Sequence, residues 1–104
     1  MSEWKEISAQ RTKEKLDLED AFVVDIRDPD SYGASHIPDA VHLNDDNVKD
    51  FIASSDKEKP LIVYCYHGNS SKGAASFFAG KGFKEVYSMA GGFESWVHSF
   101  PCEP

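Results

Sequence analysis

Basic residues, cysteines and long apolar runs are all scarce in this chain, and each shortage removes a class of function. Eleven Lys and Arg stand against eighteen Asp and Glu, a formal charge of −7 over 104 residues. A surface of that sign repels nucleic acid and anionic membranes, so neither is expected as a partner. An anionic substrate would have to be drawn by a local positive potential against the global field. No apolar run approaches the ~18 residues of a membrane span, and no basic-plus-apolar leader opens the chain, which therefore reads as cytoplasmic. The only cysteines are Cys65 and Cys102. In a reducing compartment a structural disulfide between them is not expected. Cys102, in a Pro101-Cys102-Glu103-Pro104 tail, reads as a frayed and idle thiol. Repeats, low-complexity segments and linkers are also missing, and the length suits one domain over residues 1–104.

What is there is an alternation of strands and helices. Trp4 to Ile7, Ala21 to Asp25, Ala40 to Leu43, Pro60 to Tyr64 and Glu85 to Met89 read as five short strands, the second of them β-branched and apolar on both faces. Between them, Ser8 is a natural N-cap for a polar helix from Ala9 to about Leu16. Asp28-Pro29 is a cap followed by proline at the first helical position, opening a short turn to Ser35. A helix from Asp46 or Asn47 runs to Ser54, and another from Ser71 to about Gly80 is expected to bury Ala74, Ala75, Phe77 and Phe78. Gly82 fits a left-handed C-terminal position. Gly91-Gly92 reads as a tight turn before a last helix, Phe93 to Phe100. Such spacing predicts an α/β fold, a parallel sheet covered on both faces.

The chemistry concentrates in Cys65-Tyr66-His67-Gly68-Asn69-Ser70-Ser71-Lys72. The most apolar strand ends at the Cys65 thiol, and a helix begins a few residues later. Ligands bind beyond the carboxyl ends of strands in such sheets. Gly68 and Asn69 tolerate the positive φ that lets successive N–H groups converge. Those donors and the helix N-terminus favour an anion, including the thiolate itself. An ordinary thiol is only about a few per cent ionised at neutral pH, so a lowered pKa makes Cys65 a nucleophile rather than core filler. Ser70 and Ser71 add hydroxyl donors, and Lys72 is placed to recruit a negative substrate. Cysteine-dependent phosphoryl transfer needs an arginine six positions after the nucleophile, to clamp phosphate oxygens. That position is Ser71, so phosphatase chemistry is disfavoured.

Asp25-Ile26-Arg27-Asp28, with Tyr32, Ser35-His36-Ile37-Pro38 and Ala40, resembles the N-terminal signature of the rhodanese family. Gly91-Gly92-Phe93 with Trp96 resembles its C-terminal signature. The cysteine loop is similar to that of the family's single-domain thiosulfate sulfurtransferases, whose six-residue loop corresponds to Cys65 through Ser70. The resemblance implies a rhodanese-like fold, a five-stranded mainly parallel sheet flanked by helices on both faces. It also implies thiosulfate as donor, a Cys65 persulfide, and cyanide or a dithiol such as thioredoxin as acceptor, with no cofactor. A persulfide carrier fed by a protein donor is the alternative enzyme; a non-catalytic rhodanese-like binding module is the alternative from another class, and it typically lacks the cysteine.

Around this centre the remaining residues carry plainer expectations. His67 reads as a substrate-edge residue rather than a general base. Asp25 and Arg27 are expected to pair or to brace the loop as structural support. His36 is expected to satisfy backbone groups. Cys65-x-His67 lacks further ligands for a metal, and His36, His42 and His98 show no metal motif. Asp45, Asp46 and Asp50, after Asn44, read as a solvated helix start.

Overall fold

Parallel strands need crossovers, and this chain supplies them with short helices. The computed structural model describes residues 3–104. Strands β1 (Lys5–Ile7), β2 (Phe22–Asp25), β3 (Val41–His42), β4 (Leu61–Tyr64) and β5 (Val86–Met89) form one sheet in the order β1-β5-β4-β2-β3. Each neighbouring pair is parallel. Every strand starts one residue later than the sequence pattern predicts, and at β4 and β5 the residue left out, Pro60 or Glu85, meets the neighbouring strand through its carbonyl. The Phe22 N–H donates to the Pro60 carbonyl at 2.8 Å, and that of Leu61 to the Glu85 carbonyl at 2.9 Å.

Helices α1 (Ala9–Leu18), α2 (Pro29–Ala34), α3 (Val48–Ser54) and α4 (Ser70–Gly80) make the connections, and α5 (Gly92–Val97) follows the last strand. The expected caps are in place. Ser8 Oγ accepts from the Arg11 N–H at 3.0 Å, and the Asp28 carboxylate accepts from that of Ser31 at 3.0 Å. Period-two alternation along β4 divides the core. Ile62 and Tyr64 join Val23, Met89, Phe93 and Trp96 on the α1 and α5 side. Leu61 and Val63 join Val24, Ala75, Phe78 and Phe83 on the side of α3 and α4.

Three expectations need correction. Phe77 is 44% exposed: Ala75 and Phe78 face the sheet, and a residue two positions after Ala75 is turned roughly 200° away from it. Ala74 is only half-buried. The last helix stops at Val97, short of Phe100, because the N–H groups of Ser99 and Phe100 both turn back to the Trp96 carbonyl. Nor is the tail frayed. Trp96 Nε1 donates to the Pro101 carbonyl at 3.0 Å, Glu103 pairs antiparallel with His36, and Cys102 packs against the α1/α5-side core.

Candidate active site

Cys65 follows directly on β4, at the carboxyl end of the strand. Its position is held from two directions. From beneath, the Phe93 N–H donates to the Cys65 carbonyl at 2.8 Å and that of Glu94 to the Tyr66 carbonyl at 3.1 Å, so the first turn of α5 carries the start of the loop. Gly92 makes that approach possible: with φ at 60°, a Cβ there would lie 2.5 Å from the Cys65 carbonyl oxygen. From above, the loop folds back over the thiol. Gly68, at φ 94°, donates its N–H to Sγ at 3.1 Å, and the Ser71 N–H in the first turn of α4 does so at 3.3 Å. Ser71 Oγ lies 3.5 Å from the same sulfur.

The sulfur is enclosed, Cys65 being 7% exposed. Burial alone pushes the thiol up. Against it stand the Ser71 hydroxyl and the backbone N–H groups of Ser71, Gly68 and His67, which together hold the thiol below its ordinary value. Donors converging on one sulfur stabilise the anion more than the thiol.

Asp25 and Arg27 meet in a buried pair, Arg27 Nη2 to Asp25 Oδ2 at 2.8 Å and Nε to the same oxygen at 3.0 Å. The Tyr64 hydroxyl donates to that carboxylate at 2.6 Å and accepts from the Ile37 N–H at 3.2 Å. Arg27 also lies over the Phe93 ring, 4.1 Å from its centroid, and donates to the Ser35 carbonyl. The pair thus joins the end of β2 to the residue of α5 that holds Cys65. A charge pair so deep is tolerated only when its hydrogen-bonding capacity is met, and Tyr64, Ser35 and the Arg27 N–H to Asp25 meet it.

The rim differs from expectation. Lys72 Nζ, the candidate cation, lies 3.9 Å from Glu6 Oε2, and His67 Nδ1 lies 3.7 Å from Glu94 Oε1, so a carboxylate faces each of the two rim residues. The His67 ring is exposed beside Tyr66. Ser70 opens α4 on its exposed side, and the hydroxyl that meets sulfur is that of Ser71. His36 Nδ1 donates to the Tyr32 carbonyl at 2.9 Å, as its expected backbone role requires. Asn44 Oδ1 accepts from the N–H groups of Asp46 and Asn47, organising the acidic start of α3. Ser88 was not anticipated. Its Oγ lies 2.7 Å from Ser71 Oγ, and the one available signal was a serine inside an apolar strand, Val86-Tyr87-Ser88-Met89.

A family model described as a rhodanese-like domain matches residues 8–99. The chain belongs to the rhodanese family. Among its relatives, the thiosulfate sulfurtransferase GlpE of Ectopseudomonas mendocina is 53% identical over 103 residues, covering 99% of this chain and 94% of that protein. GlpE of Pseudomonas syringae pv. syringae is 47% identical, covering 99% and 96%. The rhodanese fold is shared with the BH2092 protein of Bacillus halodurans, at TM-score 0.82 and 30% identity over 95% of this chain and 76% of that one. It is shared also with a rhodanese-related protein of Thermoplasma volcanium, at TM-score 0.81 and 24% identity over 96% and 98%.

Proposed function

We propose that this rhodanese-family chain is a thiosulfate sulfurtransferase in which Cys65 is the nucleophile and residues 1–104 act as one domain. The observation that carries the reading is the buried Sγ with N–H donors from Gly68 and Ser71 at 3.1 and 3.3 Å, in a chain 53% identical to a named thiosulfate sulfurtransferase over nearly its whole length. The Cys65 thiolate attacks the outer sulfur of thiosulfate. The S–S bond of thiosulfate breaks, its electron pair leaves with sulfite, and a new S–S bond leaves Cys65 as a persulfide anion. Cyanide then takes the outer sulfur as thiocyanate and restores the thiolate. With a dithiol acceptor, two thiols become a disulfide while the sulfur leaves as hydrogen sulfide. The scheme is ping-pong covalent catalysis without a cofactor.

Ser71 supports the choice of sulfur over phosphorus. A hydroxyl bonded to the buried thiol and to Ser88 fills the position where a phosphate clamp would need a guanidinium. Tyr66, His67, Gly68, Asn69 and Ser70 form the loop that receives the substrate, and Lys72 lies at its edge. Asp25 and Arg27 support the loop through Phe93. A dithiol acceptor such as thioredoxin and a free nucleophilic thiol both suit the cytoplasm. Among the described residues no helix is long and apolar enough to cross a membrane.

The test is intact mass after incubation with thiosulfate. The native chain is expected to gain one sulfur atom that cyanide removes, and Cys65→Ser to gain none. Sulfur uptake by Cys65→Ser, or none by the native chain, would overturn the reading.

A further inference from the structure

Ser88 sits inside β5, fully buried, on the same α4-facing side as Val86 and in register with Val63. An alanine would suit that apolar layer, and a buried hydroxyl is costly there unless it is bonded. Its partner is Ser71, with the two Oγ atoms 2.7 Å apart, and Ser71 Oγ is 3.5 Å from Cys65 Sγ. The three side chains form a line from the sulfur into the sheet.

We propose that Ser88 is a positioning residue for sulfur transfer, setting through Ser71 the direction of a two-hydroxyl relay that follows the charge on Cys65. This rests on the reading of Cys65 as nucleophile. Proton counting gives the relay two states, because each serine carries one hydroxyl proton. With Cys65 as thiol, S–H donates to Ser71 Oγ and the Ser71 hydroxyl donates to Ser88 Oγ. When the thiol loses its proton to solvent, Ser71 turns its O–H to the thiolate and Ser88 turns its own to Ser71 Oγ. The two hydroxyls rotate and neither serine loses a proton. A donor bonded to a second donor is polarised by it, a cooperative gain of ~10–30% per bond in a low-dielectric site. Ser88 therefore favours the thiolate without touching it. In the persulfide the charge moves to the outer sulfur and the inner Sγ no longer demands the donor, so the relay is released as the sulfur is loaded.

The experiment is the pH dependence of iodoacetamide alkylation at Cys65, resolved by peptide mass with Cys102 as internal reference, in the native chain, Ser88→Ala, Ser71→Ala and the double variant. The alkylation midpoint is expected to move up in Ser88→Ala and further in Ser71→Ala, with the double variant matching Ser71→Ala alone. Ser88→Thr, which keeps the hydroxyl, is expected to retain the native midpoint. Sulfur uptake by Ser88→Ala at neutral pH should fall roughly two- to fivefold, the scale of one hydrogen bond, and converge with native uptake in alkali. A native midpoint in Ser88→Ala, a threonine variant shifted like the alanine one, or additive shifts in the double variant would overturn the proposal. Alkylation reads the relay whether or not Cys65 accepts sulfur, so failure of the relay and failure of the sulfurtransferase reading give different results.

Discussion

At the scale of single residues, electrostatics at the thiol are decided by short-range donors rather than by formal charge. Nearest to Cys65 Sγ are N–H groups and a hydroxyl, while Lys72 on the rim is exposed and paired with Glu6. His67, its ring turned to Glu94, leaves the thiol's ionisation to the loop. Sulfur uptake is accordingly expected to rise with pH through a single step that lies below the ordinary thiol range, because the depressed Cys65 pKa leaves the thiolate intact until the medium is more acidic. A pH profile of uptake measures it, and His67→Gln should leave that step in place. Lys72 acts at longer range. Reversing its charge in Lys72→Glu is expected to raise the KM for thiosulfate about fivefold with a smaller change in kcat, since an exposed unit charge near an anion is worth about 1 kcal/mol. Steady-state kinetics at fixed ionic strength would detect it. The sequence made Cys65, Gly68 and Ser71 legible through their order after an apolar strand. It did not disclose that Glu6 and Glu94 face Lys72 and His67, because those carboxylates come from elements distant in the chain.

At the scale of elements, the site is a junction of α4 and α5 on the end of β4, and its glycines divide sharply in what they do. Gly92 lets α5 reach the Cys65 and Tyr66 carbonyls, whereas nothing lies within 4 Å of a Cβ built at Gly73. Gly73→Ala is expected to stabilise the chain by about 0.5–1 kcal/mol, the usual gain for an exposed helix-interior glycine, with sulfur uptake unchanged. Gly92→Ala is expected to cost about 1–3 kcal/mol for its left-handed backbone and to reduce uptake more than that loss explains, because the added Cβ meets the loop's own backbone. Urea midpoints and uptake rates on the same samples check both. Strand order was only partly readable: apolar runs located all five strands, but the sequence of neighbours β1-β5-β4-β2-β3 follows from crossovers that local pattern does not encode. Phe77 shows the same limit. Its aromatic character suggested burial, while its angle on α4 places it outward.

At the scale of the whole molecule, the charge of −7 and a doubly negative substrate repel each other. With Lys72 paired to Glu6, the long-range attraction near the mouth is weak, and the backbone donors act only at contact. Salt shortens the repulsion to a Debye length of ~10 Å at 0.1 M. The kcat/KM for thiosulfate is therefore expected to rise modestly from low ionic strength to about 0.1 M. A fall over that range would mean that a net attractive field guides thiosulfate in. The central claim, that sulfur rests on Cys65 between donor and acceptor, is tested most directly by a single turnover without acceptor. On mixing with thiosulfate alone, one equivalent of sulfite per chain should appear. After removal of thiosulfate, added cyanide should yield an equal amount of thiocyanate. Sulfite that appears only when cyanide is present would contradict the account, because it would mean direct transfer with no persulfide on the enzyme.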